Sequence, residues 1–254
     1  VSGDRIATTA ARLLAARANH ERISLGTEGP ADAAEAYAVQ DAVTRALGPV
    51  GGWKVGAKGP DAEPTCAPLP AAGILASPAK VIDGAWRVRG IETEVAVRFA
   101  ADLPADPLRL ARETVLAAVG EVLCAIEVVE TRLAEFPKAA PLQMLADSSA
   151  HGALVLGAAR PFDARWLDAK GLVARQWFDG SEVATTTGGN PAVDLARLLV
   201  WVARQAAARG MPIRAGQVVT TGSFTGMLFA PPGARVHGAI EGLGECALAF
   251  APTS

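Results

Sequence analysis

The stretch GIETEVAVRF, Gly90–Phe99, reads as a β-strand with an anomaly. Side chains two apart on a strand share a face. Ile91, Val95, Val97 and Phe99 therefore suit a core, whereas Glu92 and Glu94 project together from the other side. Neighbouring like charges repel unless water surrounds them or a cation lies between them. The pair marks either a wet sheet face or a site for a divalent ion.

The surrounding sequence makes this strand part of a strand-rich body. LCAIEVVETR reads as a buried strand with acids at its far end, and a short strand over Trp53–Val55 is flanked by glycines. GLVARQWFDG and SEVATTTG form a hairpin through the Asp179-Gly180 turn, the clearest turn signal in the chain. Helices are expected in DRIATTAARLLAARANHERIS and in ADAAEAYAVQDAVTRALG, the second with Asp32 at its cap and Gly48 at its stop. Another is expected after Asp106-Pro107. The strongest spans NPAVDLARLLVWVARQAAARG, capped by Asn190, opened by Pro191 and closed by Gly210, with Leu195, Leu198, Leu199, Val202 and Ala206 along one side. Helices that gather at the ends and middle of a strand-rich chain favour α+β over alternating βαβ units. Residues 1–50 read as an N-terminal helical segment and 51–254 as the body that carries the chemistry.

Composition removes several classes. Half of the 254 residues are hydrophobic and a fifth are charged, as in globular proteins able to bury a sizeable core. The formal charge is −2 with no run of Lys or Arg, so no nucleic-acid partner is expected. Cys66, Cys124 and Cys246 are odd in number and far apart, which fits a reducing cytoplasm better than a disulfide scaffold. The opening residues lack a basic stretch followed by an apolar one, so they do not read as a secretory signal. Arg197 and Arg204 interrupt the most apolar helix, so no membrane span is expected.

Candidate chemistry follows from residue types. His20, His151 and His237 are isolated, which gives zinc or copper little support. Carboxylates suit magnesium, manganese or calcium. A third acid beside Glu92 and Glu94 is Glu127, set between Ala125-Ile126 and Val128-Val129. A carboxylate in so apolar a strand is costly unless paired, protonated or bound to metal. Lys54, between Trp53 and Val55, is either a desolvated proton carrier or an edge lysine that snorkels. TTGSFTG, with Ser223 and Thr225, is either a turn that presents backbone N–H groups to an acid or an ordinary Ser/Thr turn. Asp147 either closes an Asx turn with Ser148 and Ser149 or helps hold a ligand. Ser149 and His151 are close together, but no G-x-S-x-G elbow surrounds the serine. Walker and G-x-G-x-x-G loops are both missing, which disfavours nucleotide binding.

Taken in order, AYAVQDAV, GWKVGAK, IETEVAVRF, AIEVVETR, LADSSAHGALVLG, GGNPAVDLARLLVWVA, AGQVVTTGSFTG and GLGECALAF resemble the 2-keto-4-pentenoate hydratases. These belong to the fumarylacetoacetate hydrolase superfamily, as do the 4-oxalocrotonate decarboxylases. The resemblance implies layered, strongly bent mixed β-sheets with flanking helices. It implies magnesium or manganese on Glu92, Glu94 and Glu127, with Lys54 as acid/base. It places Ser223 and Thr225 against the substrate's carboxylate end, and Asp147 joins them as a substrate-binding candidate. It further implies a small 2-oxo or enol acid substrate, a role in aromatic compound catabolism, and a homo-oligomer. Hydration is the activity expected; decarboxylation, C–C hydrolysis and non-catalytic acid binding are the alternatives. This chain departs from the family's pattern at Ser148, where an asparagine is usual, at the shorter PDAEPTCAPLPAAG segment, and at Glu130-Thr131.

Overall fold

A computed structural model describes residues 2–252. Two mixed sheets form the body. The larger has nine strands, with β2 (Thr65–Pro70), β1 (Val50–Gly56), β11 (Val218–Ser223), β5 (Gly90–Phe99), β6 (Val119–Val129), β7 (His151–Leu156) and β3 (Ile74–Ala76) in that order. Short strands β12 (Leu228–Phe229) and β8 (Arg160–Pro161) pair with β5 and β6. The five-stranded sheet runs β10 (Ser181–Thr187), β9 (Val173–Phe178), β13 (Arg235–Ile240), β14 (Gly244–Ala251) and β4 (Ala79–Ile82). Both sheets are mixed: β1 lies parallel to β11 and β14 parallel to β4, within otherwise largely antiparallel ladders.

The alternation in β5 decides how the layers stack. Ile91, Val95, Val97 and Phe99 are buried in the main core together with Val122, Cys124 and Ile126 of β6 and with Val236, Cys246 and Leu248 of the second sheet. That face lies against β13 and β14. The approach is close enough that a Cβ on Gly238 would stand 2.5 Å from Thr93 Oγ1, so only glycine fits there. Gln176 of β9 bridges the layers, accepting from Thr93 Oγ1 and Thr225 Oγ1 at 3.0 Å each. The opposite face of β5 and β6 carries Ala96 and Ala125, packed with Leu69, Leu154 and Val218. Glu92, Glu94 and Glu127 share that second face by the same alternation.

Helices cover the edges. Helix α5 (Leu195–Ala208) buries Leu195, Leu198, Leu199, Val202 and Ala206, each leucine contributing about 2 kcal/mol of burial. Its start differs from the expectation. Asp194 is the cap and accepts from Arg197 N, while Asn190 and Pro191 remain in the preceding loop. Asn190 is buried, and its amide is needed elsewhere, as described below. Asp106-Pro107 likewise opens only a single 3-10 turn, Pro107–Arg109, before α3 (Arg112–Ala117) begins. The Asp179-Gly180 turn is present as expected, with φ of 52° and 84°.

Helices α1 (Ser2–Ala18) and α2 (Ala33–Leu47) precede the first strand. Asp32 caps α2 by accepting from Glu35 N, and Gly48, at φ 112°, ends it. Their apolar sides, including Leu13, Val39 and Val43, share one cluster with Leu133 and with Leu145 and Ala146 of α4 (Pro141–Ala146). Among the described residues no helix is long and apolar enough to cross a membrane.

Candidate metal centre

Cross-strand register assembles the acids. Glu92 of β5 stands directly opposite Glu127 of β6, and Glu94 is the next residue on the same face of β5. One oxygen from each of the three lies within 4.8 Å of the others. Glu94 and Glu127 are 1% exposed, which excludes the wet-face explanation. Parallel pairing of β1 with β11, with Lys54 level with Thr220, then aims the lysine at the same spot. Lys54 Nζ donates to Glu127 Oε1 at 2.5 Å and to Ser149 O at 3.1 Å. Glu94 Oε2 accepts from Thr220 Oγ1 and, at 2.9 Å, from Gly222 N. His151 Nδ1 lies 3.0 Å from Glu127 Oε1.

The electrostatics are those of three buried carboxylates sharing one ammonium. Burial, and then repulsion from Glu127, push Glu92 up to about 7, against the pull of Lys54. Burial, Glu127 and Glu92 raise Glu94 well above the usual carboxylate range. Burial also opposes charge on Glu127, but Lys54 and His151 outweigh it and hold that carboxyl below its ordinary value. Burial disfavours the Lys54 ammonium, yet Glu127, Glu92 and Glu94 together raise its pKa. Burial lowers the His151 pKa, against the pull of Glu127. One ammonium cannot neutralise three buried carboxylates, so Glu92 and Glu94 hold on to protons and present hard oxygen donors that a cation could take over. Such a set fits a magnesium-like dication, whereas softer metals favour nitrogen or sulfur.

Lys54, Glu92, Glu94 and Glu127 line a cavity of about 580 Å³. Ser223, Gly222 and Asn190 line one wall, and Ala57, Lys58 and Glu63 stand on the loop after β1. That loop is tied to α5: Arg197 donates to Gly59 O and Ala62 O, and Trp201 Nε1 donates to Glu63 Oε1 at 2.8 Å. Ser223 Oγ is buried beside Glu92 without a hydrogen bond of good geometry. A buried hydroxyl left so is rare and suits a ligand.

Two of the substrate-binding candidates are placed elsewhere. Thr225 Oγ1 accepts from Thr93 N and donates into the Gln176 bridge, and Thr225 is not part of the cavity wall. Asp147 is 3% exposed, also off the wall, and fully engaged: it accepts from Thr131 Oγ1 at 2.6 Å and from Arg132 N and Nε at 2.9 and 2.5 Å. In TTGSFTG, Ser223 faces the cavity and Thr225 faces the core because two residues of a turn need not share a side.

Other contributors were not anticipated. Asn190 Nδ2 donates to Thr221 O and Gly222 O at 2.9 Å, bracing the turn whose N–H holds Glu94. It gets that close because Gly189 lacks a side chain; a Cβ there would sit 1.9 Å from Phe224 O. In sequence, Asn-Pro before an apolar run signals a helix cap, which concealed this role. Thr220 opens the hydroxyl-rich TTGSFTG stretch, but nothing local marks it as the partner of Glu94, and the Ser149 carbonyl has no local signal.

The fumarylacetoacetate hydrolase C-terminal family model matches residues 60–250. A 2-hydroxyhexa-2,4-dienoate hydratase of Comamonas testosteroni is 29% identical over 159 residues, 63% of this chain and 59% of that protein. The match thus spans about three fifths of that relative's length. A 2-keto-4-pentenoate hydratase 1 of Dechloromonas aromatica (strain RCB) is 29% identical over 233 residues, 87% of both chains. The fold is shared with 4-oxalocrotonate decarboxylase from Pseudomonas putida G7, solved in complex with magnesium and adipate, at a TM-score of 0.84 and 23% identity over 98% of each chain. Layered mixed sheets, matched across most of their length by that family model, make this chain a member of the fumarylacetoacetate hydrolase family.

Proposed function

We propose that the chain is a divalent-metal-dependent lyase of the hydratase type, converting a 2-hydroxy-2,4-dienoate, through its 2-oxo-enoate tautomer, into a 4-hydroxy-2-oxo acid. The observation that carries this reading is a cavity lined by three converging glutamates and a buried lysine, with the Ser223 hydroxyl beside Glu92. The hydratase relatives support the reaction type. Glu92, Glu94 and Glu127 are the residues that would hold magnesium or manganese. When bound, such an ion supplies Lewis acidity to the carbonyl and carboxylate oxygens of a 2-oxo acid.

The chain's own groups account for binding and proton transfer. The Ser223 hydroxyl donates to the substrate's carboxylate end. Lys54 takes the proton from the 2-hydroxyl and returns it to C5, leaving an enone conjugated to the 2-oxo group. Conjugation makes C4 electrophilic, so water adds there and C3 takes up the remaining proton. Thr220 and Gly222 N hold Glu94 in place during this sequence. Loss of CO2 or C–C cleavage would draw on the same groups, and the substrate decides between them. The test is incubation with 2-hydroxypenta-2,4-dienoate and magnesium. Formation of 4-hydroxy-2-oxopentanoate, abolished by chelator and restored by metal, is expected; CO2 release from 4-oxalocrotonate without hydration would overturn the hydratase assignment.

The free, buried state of all three cysteines supports a cytoplasmic setting. The homo-oligomer implied by the family resemblance is carried as part of this proposal. Residues 1–50 serve as a helical segment seated on the 51–254 body, as the shared cluster around Leu133 supports; residues 1, 253 and 254 lie outside those described. The relatives' substrates support a place in aromatic compound catabolism.

A further inference from the structure

We propose that His151 is a positioning residue for Glu127, holding that carboxylate in the ligand set both at rest and when Lys54 leaves it to exchange a proton with substrate. The inference rests on the metal-site reading above. Glu127 Oε1 accepts from two donors, Lys54 Nζ at 2.5 Å and His151 Nδ1 at 3.0 Å. A proton carrier cannot remain on Glu127 throughout turnover. If Lys54 were the only donor, its departure would free a buried carboxylate to rotate away from its neighbours.

His151 is built not to move. Its side chain is 1% exposed. Its carbonyl is gripped by two guanidinium groups, Arg17 Nη2 at 3.1 Å and Arg132 Nη1 at 2.9 Å. Arg132 is itself locked by Asp147. The backbone enters His151 through three consecutive left-handed residues, Ser148, Ser149 and Ala150, at φ 52°, 50° and 59°. Non-glycine residues keep that conformation only where the surroundings impose it. The same turn aims the Ser149 carbonyl at Lys54.

The hydrogen-bond pattern separates this role from simple packing. A carboxylate only accepts, so Nδ1 carries the imidazole proton. Nε2 is then a buried acceptor, and it has no protein partner among the described residues. The ring's one side-chain hydrogen bond among the described residues goes to a candidate metal ligand. Outer partners of this kind orient ligands and tune affinity.

The experiment is titration with Mn2+, followed by the EPR signal of the free ion, on native protein, His151→Leu and His151→Asn, with circular dichroism to verify folding. The asparagine amide nitrogen falls near the position of Nδ1, whereas leucine fills the space without a donor. We expect His151→Leu to bind Mn2+ about 10- to 100-fold more weakly, and His151→Asn to recover most of that loss. Native affinity in the leucine variant, or an equal loss in both variants, overturns the proposal. Should the leucine variant not fold, His151→Ala is judged by the same criterion. If the native protein binds no Mn2+, the three-glutamate reading fails first and this inference falls with it.

Discussion

Replacing Lys54 with methionine separates two jobs that one ammonium could perform at this site. A lysine that props up the glutamates would be missed by the metal; a lysine that carries protons would be missed only by the reaction. The structure indicates how far apart these outcomes lie. Lys54 Nζ is 2.5 Å from Glu127, which sets it within about 7 Å of any ion that Glu127 ligates at a magnesium-like distance. At an effective dielectric of about 20, a single charge and a dication at that separation repel by roughly 5 kcal/mol. Residual solvent and proton uptake by the acids reduce this figure, but its sign stands. Lys54→Met is therefore expected to bind Mn2+ at least about tenfold more tightly, equivalent to about 1.4 kcal/mol. Its kcat should fall by about 10²- to 10⁴-fold, as for loss of a general acid/base. The assay pairs Mn2+ titration with steady-state turnover of 2-hydroxypenta-2,4-dienoate. Weaker Mn2+ binding together with lost turnover would refute the argument and make Lys54 a structural support of the acids.

Glu94→Gln should abolish Mn2+ binding while leaving the circular dichroism spectrum native, because an amide still fills the space between Thr220 and Gly222; normal binding would remove Glu94 from the ligand set. Asp147→Ala should lower stability by about 3–5 kcal/mol, since it strands the buried Arg132 guanidinium. A denaturant midpoint unchanged while KM rises would instead return Asp147 to the substrate. Burial pushes the thiols of Cys66 and Cys246 up to about 11 and about 12, and that of Cys124 higher. At pH 8 all three are then protonated and unreactive, so iodoacetamide should label them only in denaturant. Rapid labelling of native Cys66, on the cavity wall, would show that the wall opens.

Much of the candidate site's geometry was legible along the chain because strand alternation is a local rule. Two residues of spacing put Glu92 and Glu94 on one face whatever β5 paired with. The oddity of Glu127 among valines was equally visible, since burial of an acid needs a compensating partner wherever it occurs. The hairpin turn at Asp179-Gly180 and the cap at Asp32 are local in the same sense. The failures have the opposite origin. Asn190 obeys the rules of a helix cap in sequence, yet its amide serves carbonyls 31 and 32 residues away. Thr225 and Asp147 resemble ligand contacts by composition, but each is engaged by a distant partner, Gln176 in one case and Arg132 in the other.

Residue types and period-two spacing, by themselves, determined that acids, a lysine and a hydroxyl-rich turn were available on strand-like segments. Only tertiary structure decided that they meet. The antiparallel register that sets Glu92 against Glu127, the parallel pairing that carries Lys54 to Thr220, and the left-handed turn that swings His151 under Glu127 are all long-range choices. Each depends on which strands pair and how two sheets stack. The free energy behind those choices is spread across the whole apolar core, and no short segment contains enough of it to be read locally.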